Sequence, residues 1–137
     1  MVNLLNSTVK SWIEIPPDSD FSIYNIPFGI FSVGDEKPRA ATRVGDSVID
    51  LSVLAESNYF EGLGLNDIEV FSESFLNDFI ALGKPITSKI RQRLMELFSD
   101  SNHELKNKKE LIRLAIHDVN DVTMHMPVKV GNYTDFY

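Results

Sequence analysis

The stretch Ala40-Ala41-Thr42-Arg43-Val44-Gly45-Asp46-Ser47-Val48-Ile49-Asp50-Leu51 decides the fold. Thr42 and Val44 lead into Gly45-Asp46, and Val48 to Leu51 lead out. Gly45 lacks a Cβ and can take the positive φ that a tight primed turn requires, so Gly-Asp is a good two-residue hairpin loop. The alternation of apolar and polar residues is imperfect, but the turn chemistry is sound. Upstream, Pro27 opens the run Phe28-Gly29-Ile30-Phe31-Ser32-Val33, whose length and aromatic and β-branched content favour a strand. Gly34 to Pro38 is a polar turn, and Asp18-Ser19-Asp20-Phe21 after Pro16-Pro17 reads as another. Short strands joined by tight turns predict a small barrel or curled sheet from Phe28 to Leu51.

Downstream the period changes from strand to helix, which makes the chain α+β. Phe75, Leu76, Phe79, Ile80 and Leu82 form an apolar face ended by Gly83 and Pro85, predicting a helix over 74–82. Thr87 or Ser88 caps a second helix over 87–98, where Ile90, Leu94, Leu97 and Phe98 recur on one side. That stripe reads as core rather than as a cofactor groove. Ser99 to Asn107 is a polar loop. Asn107 and Glu110 have capping-box spacing before a third helix over 108–116, with Leu111, Ile112, Leu114, Ala115 and Ile116 facing inward. Val122, Met124 and Met126 alternate with Thr123 and His125, a short strand that rejoins the sheet and stops at Pro127. Three packed helices on a small curled sheet or barrel are therefore expected.

At 137 residues the chain is long enough for one domain with its own core. Its net charge of −7 argues against general nucleic-acid binding, which needs a basic face. Lys106, Lys108 and Lys109 form only a small basic cluster, read as a solvated loop. The chain has no cysteine, which excludes a disulfide framework, a thiolate nucleophile and a Cys-based zinc site. No apolar run is long enough to span a membrane, and Met1 to Lys10 lacks the charge and apolar stretch of a secretory signal. A cytoplasmic protein with neither nucleic-acid nor membrane partners is expected. The glycosylation patterns at Asn6 and Asn132 read as chance.

The chemistry-bearing residues are few. His103, His117 and His125 are the three histidines, and none is paired at metal-ligand spacing. His103 sits in the polar loop, and His117 follows a helix end where a cation would favour the dipole. His125, just before the aromatic tail, is the most interesting, though a structural role is the favoured reading. Gly62-Leu63-Gly64 lacks the third Gly, the Lys and the context of a phosphate loop, and no Ser has a nucleophile-elbow setting. Asp18, Asp20, Asp35 and Glu36 sit in turns, where local hydrogen bonding is their expected role. The tail Gly131-Asn132-Tyr133-Thr134-Asp135-Phe136-Tyr137 places one carboxylate among aromatics. A hard cation such as Ca²⁺ takes about 6–8 oxygens, so Asp135 alone cannot make a site. From the residues alone Asp135 is either a solvated carboxylate or one ligand of a larger set.

Thr123-Met124-His125-Met126-Pro127, then Gly131, then Tyr133-Thr134-Asp135-Phe136-Tyr137 closely resembles the fumarylacetoacetase family. Asp18-Ser19-Asp20-Phe21, Asn25-Ile26-Pro27-Phe28-Gly29-Ile30-Phe31-Ser32, Ile49-Asp50-Leu51-Ser52 and the stretch from Leu76-Asn77 to Leu82-Gly83 resemble it in the same order. The resemblance runs from Asp18 to Tyr137. It implies an SH3-like barrel with helices, followed in the family by a β-rich catalytic domain, in a homodimeric enzyme. That enzyme hydrolyses a carbon–carbon bond of fumarylacetoacetate, in tyrosine and phenylalanine breakdown, to give fumarate and acetoacetate. The family uses a His–Glu pair to activate water and a Ca²⁺ ion, with Mg²⁺ as a second cation, to orient the diketo substrate. By the same resemblance Asp135 is a metal ligand and Tyr137 contacts the substrate.

The family's catalytic His follows the Tyr-Thr-Asp-Phe-Tyr motif, and its other metal carboxylates lie further on. His125 precedes the motif and does not take that role. Residues 1–15 are read as an N-terminal extension, 16–126 as the family's N-terminal domain, and 127–137 as a linker and the start of the catalytic domain. No catalytic residue is expected within the chain, which is expected to be inactive alone and not to bind the cation by itself. An alternative of another class is a free-standing SH3-like module that binds a protein partner.

Overall fold

The computed structural model describes residues 11–13, 15, 26–65 and 67–127. The turn at Asp18–Phe21 and the tail residues Asp135 and Tyr137 lie outside the described residues. Within them, β1 (Phe28–Ser32), β2 (Arg39–Val44) and β3 (Ser47–Asp50) form an antiparallel meander. The hairpin predicted around Gly45-Asp46 is present. Val44 pairs with Ser47, and Gly45 has φ 60°. Since Asp46 does not share the positive φ, this is the primed turn that requires Gly only at its first central position.

Two further strands complete the sheet. β4 (Ile116–Asp118) pairs with β3, and β5 (Thr123–His125) pairs with β1, giving the order β4-β3-β2-β1-β5. The sheet curls into half a barrel. Both of its faces are covered. Ile30, Ala40 and Ile49 enter the main core, while their neighbours Phe31, Ala41 and Val48 form a second cluster with Val33, Val119 and Val122. A strand buried on both sides reads as a near-continuous apolar run, which explains the imperfect alternation in the sequence.

Four α-helices pack on the sheet, one more than the periodicity predicts. α1 (Leu51–Glu56) follows β3 directly, and the Asp50 carboxylate accepts from Ser52 N and Val53 N at 3.0 and 3.4 Å. That side-chain cap satisfies donors left open at a helix start. α2 (Asn77–Ala81) is shorter than the expected 74–82 segment. α3 (Lys84–Phe98) begins before the expected caps Thr87 and Ser88, with Gly83 at its N-cap and Pro85 in its first turn. Proline is tolerated there because its missing N–H would be unpaired anyway, so Pro85 starts one helix as well as ending the previous one. α4 (Lys109–Ala115) carries no side-chain cap bond at Lys108, and Glu110 pairs with Arg113 at 3.0 Å instead of closing a box with Asn107. It stops one residue early because Ile116 is drawn into β4, pairing the open edge of β3.

Ile90, Leu94, Leu97 and Phe98 of α3 fill the core as predicted, together with Phe71 and Phe79, whose rings lie 5.3 Å apart. Of the apolar residues expected inside, Phe75 and Leu82 lie exposed just before and just after α2, and two residues within helices are more so: Ile80 is 53% and Leu114 63% exposed. Short helices explain both. Each turns only one narrow stripe inward, taken by Phe79 in α2 and Ala115 in α4. Trp12 ties the first described segment to the end of α3, with its indole N–H donating to Leu97 O at 2.8 Å. Among the described residues no helix is long and apolar enough to cross a membrane.

Candidate functional site

Two places on the sheet carry chemistry. The first is the strand that leaves it. Thr123 and His125 of β5 sit opposite Ser32 and Ile30 of β1. The Ser32 hydroxyl is buried, and its Oγ lies 2.7 Å from Nε2 of exposed His125. Just beyond, Pro127 O accepts from Leu76 N at 2.6 Å, fixing the end of the described chain to the entry of α2. Met124 folds back over Gly29, where a Cβ would stand 3.4 Å from its Cε. These contacts position the chain four residues before the Gly131–Tyr137 motif.

The second is a cleft of about 460 Å³ between the β1–β2 turn, α1 and α4. On its lining Asp50 is 1% exposed, and Arg39 Nε donates to Asp50 Oδ2 at 2.6 Å. Burial works against the charge on Arg39, but the bonds and charge of Asp50 and Glu36 outweigh it and hold the guanidinium above its ordinary pKa. The guanidinium also lies over the Phe31 ring, 4.6 Å from its centroid. His117 also lies against Phe31, with ring centroids 5.6 Å apart and planes tilted by 43°. Among the described residues His117 Nε2 is buried without a hydrogen-bond partner. Val53, Leu111 and exposed Leu114 make the apolar wall.

This arrangement can bind and orient; the Ser52 hydroxyl, which donates to the Asp50 carboxylate at 2.6 Å, belongs to the α1 cap. Asp50 is committed to Arg39 and to the α1 cap. Among the described residues no group of three or more His, Asp or Glu side chains is placed to hold a metal ion, so these residues do not fit a calcium site. His103 sits in the exposed loop before Glu104, as the sequence indicates. The three histidines are not brought together: His125 contacts Ser32 and His117 lies tilted against Phe31. Asp35 and Glu36 are in the exposed turn, where Glu36 pairs with Arg39 at 2.9 Å. The sequence reading placed Ser32 only in a strand and did not single out Arg39. Asp50 followed by Ser52, with Leu51, Leu54 and Ala55 at helical spacing, is the signal that reveals α1 and its cap. Nothing local signals the partner residues, because Ser32 and His125 are 93 positions apart.

A family model described as fumarylacetoacetase N-terminal matches residues 24–127. That match runs from just before β1 through β5 to Pro127. Fumarylacetoacetase of Dictyostelium discoideum is 39% identical over 132 residues, 96% of this chain and 31% of the relative. The Mus musculus enzyme is 40% identical over 129 residues, covering 93% of this chain and 30% of the relative. The human fumarylacetoacetase is 39% identical over the same length and shares. The chain therefore spans about 30% of the length of the curated relatives it matches.

Proposed function

The chain belongs to the fumarylacetoacetase N-terminal family, and on that premise we propose that it acts as the N-terminal part of an enzyme hydrolysing 4-fumarylacetoacetate to fumarate and acetoacetate. The observation that carries this reading is the family match across the whole described sheet and its helices, residues 24–127. The reaction belongs to tyrosine and phenylalanine catabolism. Water adds its oxygen to a substrate carbonyl carbon, the carbon–carbon bond breaks, and the electron pair leaves on the acetoacetate side as an enolate that then takes a proton. The curled sheet is an SH3-like barrel whose role is to support the neighbouring catalytic part. The longer protein is a cytoplasmic homodimer.

In this reading Tyr137 donates its phenolic O–H to a substrate oxygen. Asp135 supplies one carboxylate to a Ca²⁺ site, Mg²⁺ being the second cation, completed by carboxylates of the catalytic part. Such an ion supplies charge stabilisation where the enolate develops. No residue of this chain is assigned as the general base. The test is to follow loss of the diketo substrate with the longer protein and with the 137-residue chain alone. Turnover by the longer protein and none by the chain is the expected result. No turnover by the longer protein overturns the reading. In the same protein, Asp135→Ala should weaken Ca²⁺ binding measured by calorimetry, because a missing charge in a low-dielectric site is poorly replaced by water. Tyr137→Phe should be milder, costing about 1–3 kcal/mol for one lost polar partner.

A further inference from the structure

Single exposed apolar side chains are ordinary on a protein surface, and a cluster of them is not. Among the described residues seven large apolar side chains are exposed, and five of them, Phe75, Ile80, Leu82, Met124 and Met126, fall on two segments. One segment is α2 with the residues beside it, and the other is β5 with the residue after it. Backbone bonds tie the two together. Leu76 N donates to Pro127 O at 2.6 Å, and Leu76 O accepts from Ile80 N at 2.8 Å. Phe75, Ile80 and Met126 therefore each stand one peptide or one hydrogen bond from the Leu76–Pro127 contact. Charge is sparse there: residues 75–82 and 122–127 hold one carboxylate, Asp78, and no Lys or Arg. A charge-poor surface carrying Phe and Met has the composition of an interface core.

We propose that this surface is the docking face for the part of the longer protein that follows Pro127. The inference rests on the reading of the chain as the N-terminal part of such a protein. Two observations select that occupant. The family match is to an N-terminal part and ends at Pro127, and the matched stretch is 30% of the mouse and human relatives. Pro127 is itself bonded into the surface, so a chain that continues from it starts on the face. A tethered partner meets its surface at an effective concentration in the mM range, so a modest apolar contact is enough to hold it. Leu114 is comparably exposed at 63%, but it stands apart, on a cleft lined by Arg113 and Glu56. It supplies the contrast.

The test uses the longer protein with the 137-residue chain beside it. Under dilute peroxide Met124 and Met126 should react at least about tenfold more slowly in the longer protein, because a covered thioether reacts only when the interface opens. Equal rates in the two proteins overturn the proposal; if both are slow, residues 128–137 cover the face by themselves. Protection that appears only at high protein concentration assigns the face to a second copy and also overturns it. Ile80→Lys should leave the melting temperature of the 137-residue chain unchanged, since that side chain is 53% exposed. In the longer protein it should raise the rate at which a protease separates the two parts about tenfold, the effect of a central interface residue. Leu114→Lys should leave that rate unchanged. If Ile80→Lys unfolds the chain alone, or if the two substitutions act alike, the face is overturned. Turnover of the diketo substrate is followed on the same samples. Protected methionines in a protein without turnover support the face and overturn the functional reading. Turnover with unprotected methionines overturns the face alone.

Discussion

Asp50→Ala removes four hydrogen bonds at one buried point. Oδ1 accepts from Ser52 N, Ser52 Oγ and Val53 N at the start of α1, and Oδ2 accepts from Arg39 Nε. Loss of a side-chain cap costs about 0.5–2 kcal/mol. Removing one partner of a buried ion pair costs about 3–5 kcal/mol, because the other charge is left behind. Arg39 is 18% exposed at the side chain and keeps Glu36 at 2.9 Å and Lys37 O at 3.1 Å, which places that part at or below the low end. The two effects together come to about 4 kcal/mol, a large share of a typical stability of about 5–15 kcal/mol. At about 4 °C per kcal/mol for a domain of this size, the melting temperature should fall by about 15 °C. Asp50→Asn keeps the cap oxygen and loses the charge, so it should cost only the ion-pair part, about 3 kcal/mol. Urea denaturation followed by circular dichroism measures both. An Asp50→Ala variant within about 1 kcal/mol of the parent, or an Asn variant as costly as Ala, refutes the reasoning.

Two other outcomes follow from the same packing. Hydrogen bonds from Arg93, at 2.7 and 2.8 Å, and from Asn102 hold the Glu104 carboxyl down at about 2. A depressed folded-state pKa means that its contribution is fully present above the unfolded value near 4.5 and is lost as pH falls through about 2. The stability difference between the parent and Glu104→Gln should be level above about pH 5, no more than about 1 kcal/mol at this exposed site, and should vanish toward pH 2; a difference unchanged from pH 5 to 2 counts against it. Leu94→Ala, at a side chain with no exposed surface, should destabilise by about 2–5 kcal/mol, read from the shift in denaturation midpoint. A cost below about 1 kcal/mol would mean that α3 is not seated on the sheet as described.

What the sequence determined by itself is the set of features written in adjacent residues. The Gly45-Asp46 turn needs only a residue without Cβ at one position, so its hairpin is legible locally. The stripe of Ile90, Leu94, Leu97 and Phe98 declares α3 by its period, and the order of short motifs pointed to the family. The tertiary structure decided where those features end and what they meet. Ile116 leaves the α4 helical pattern because the β3 edge offers it backbone partners. Ile80 and Leu114 stay outside because short helices turn only one stripe inward. Arg39 finds Asp50, and Ser32 finds His125, only once the sheet has brought distant segments within about 3 Å of each other. A hydrogen bond depends on distance in space, and separations of 11 and 93 residues become that distance only through the fold.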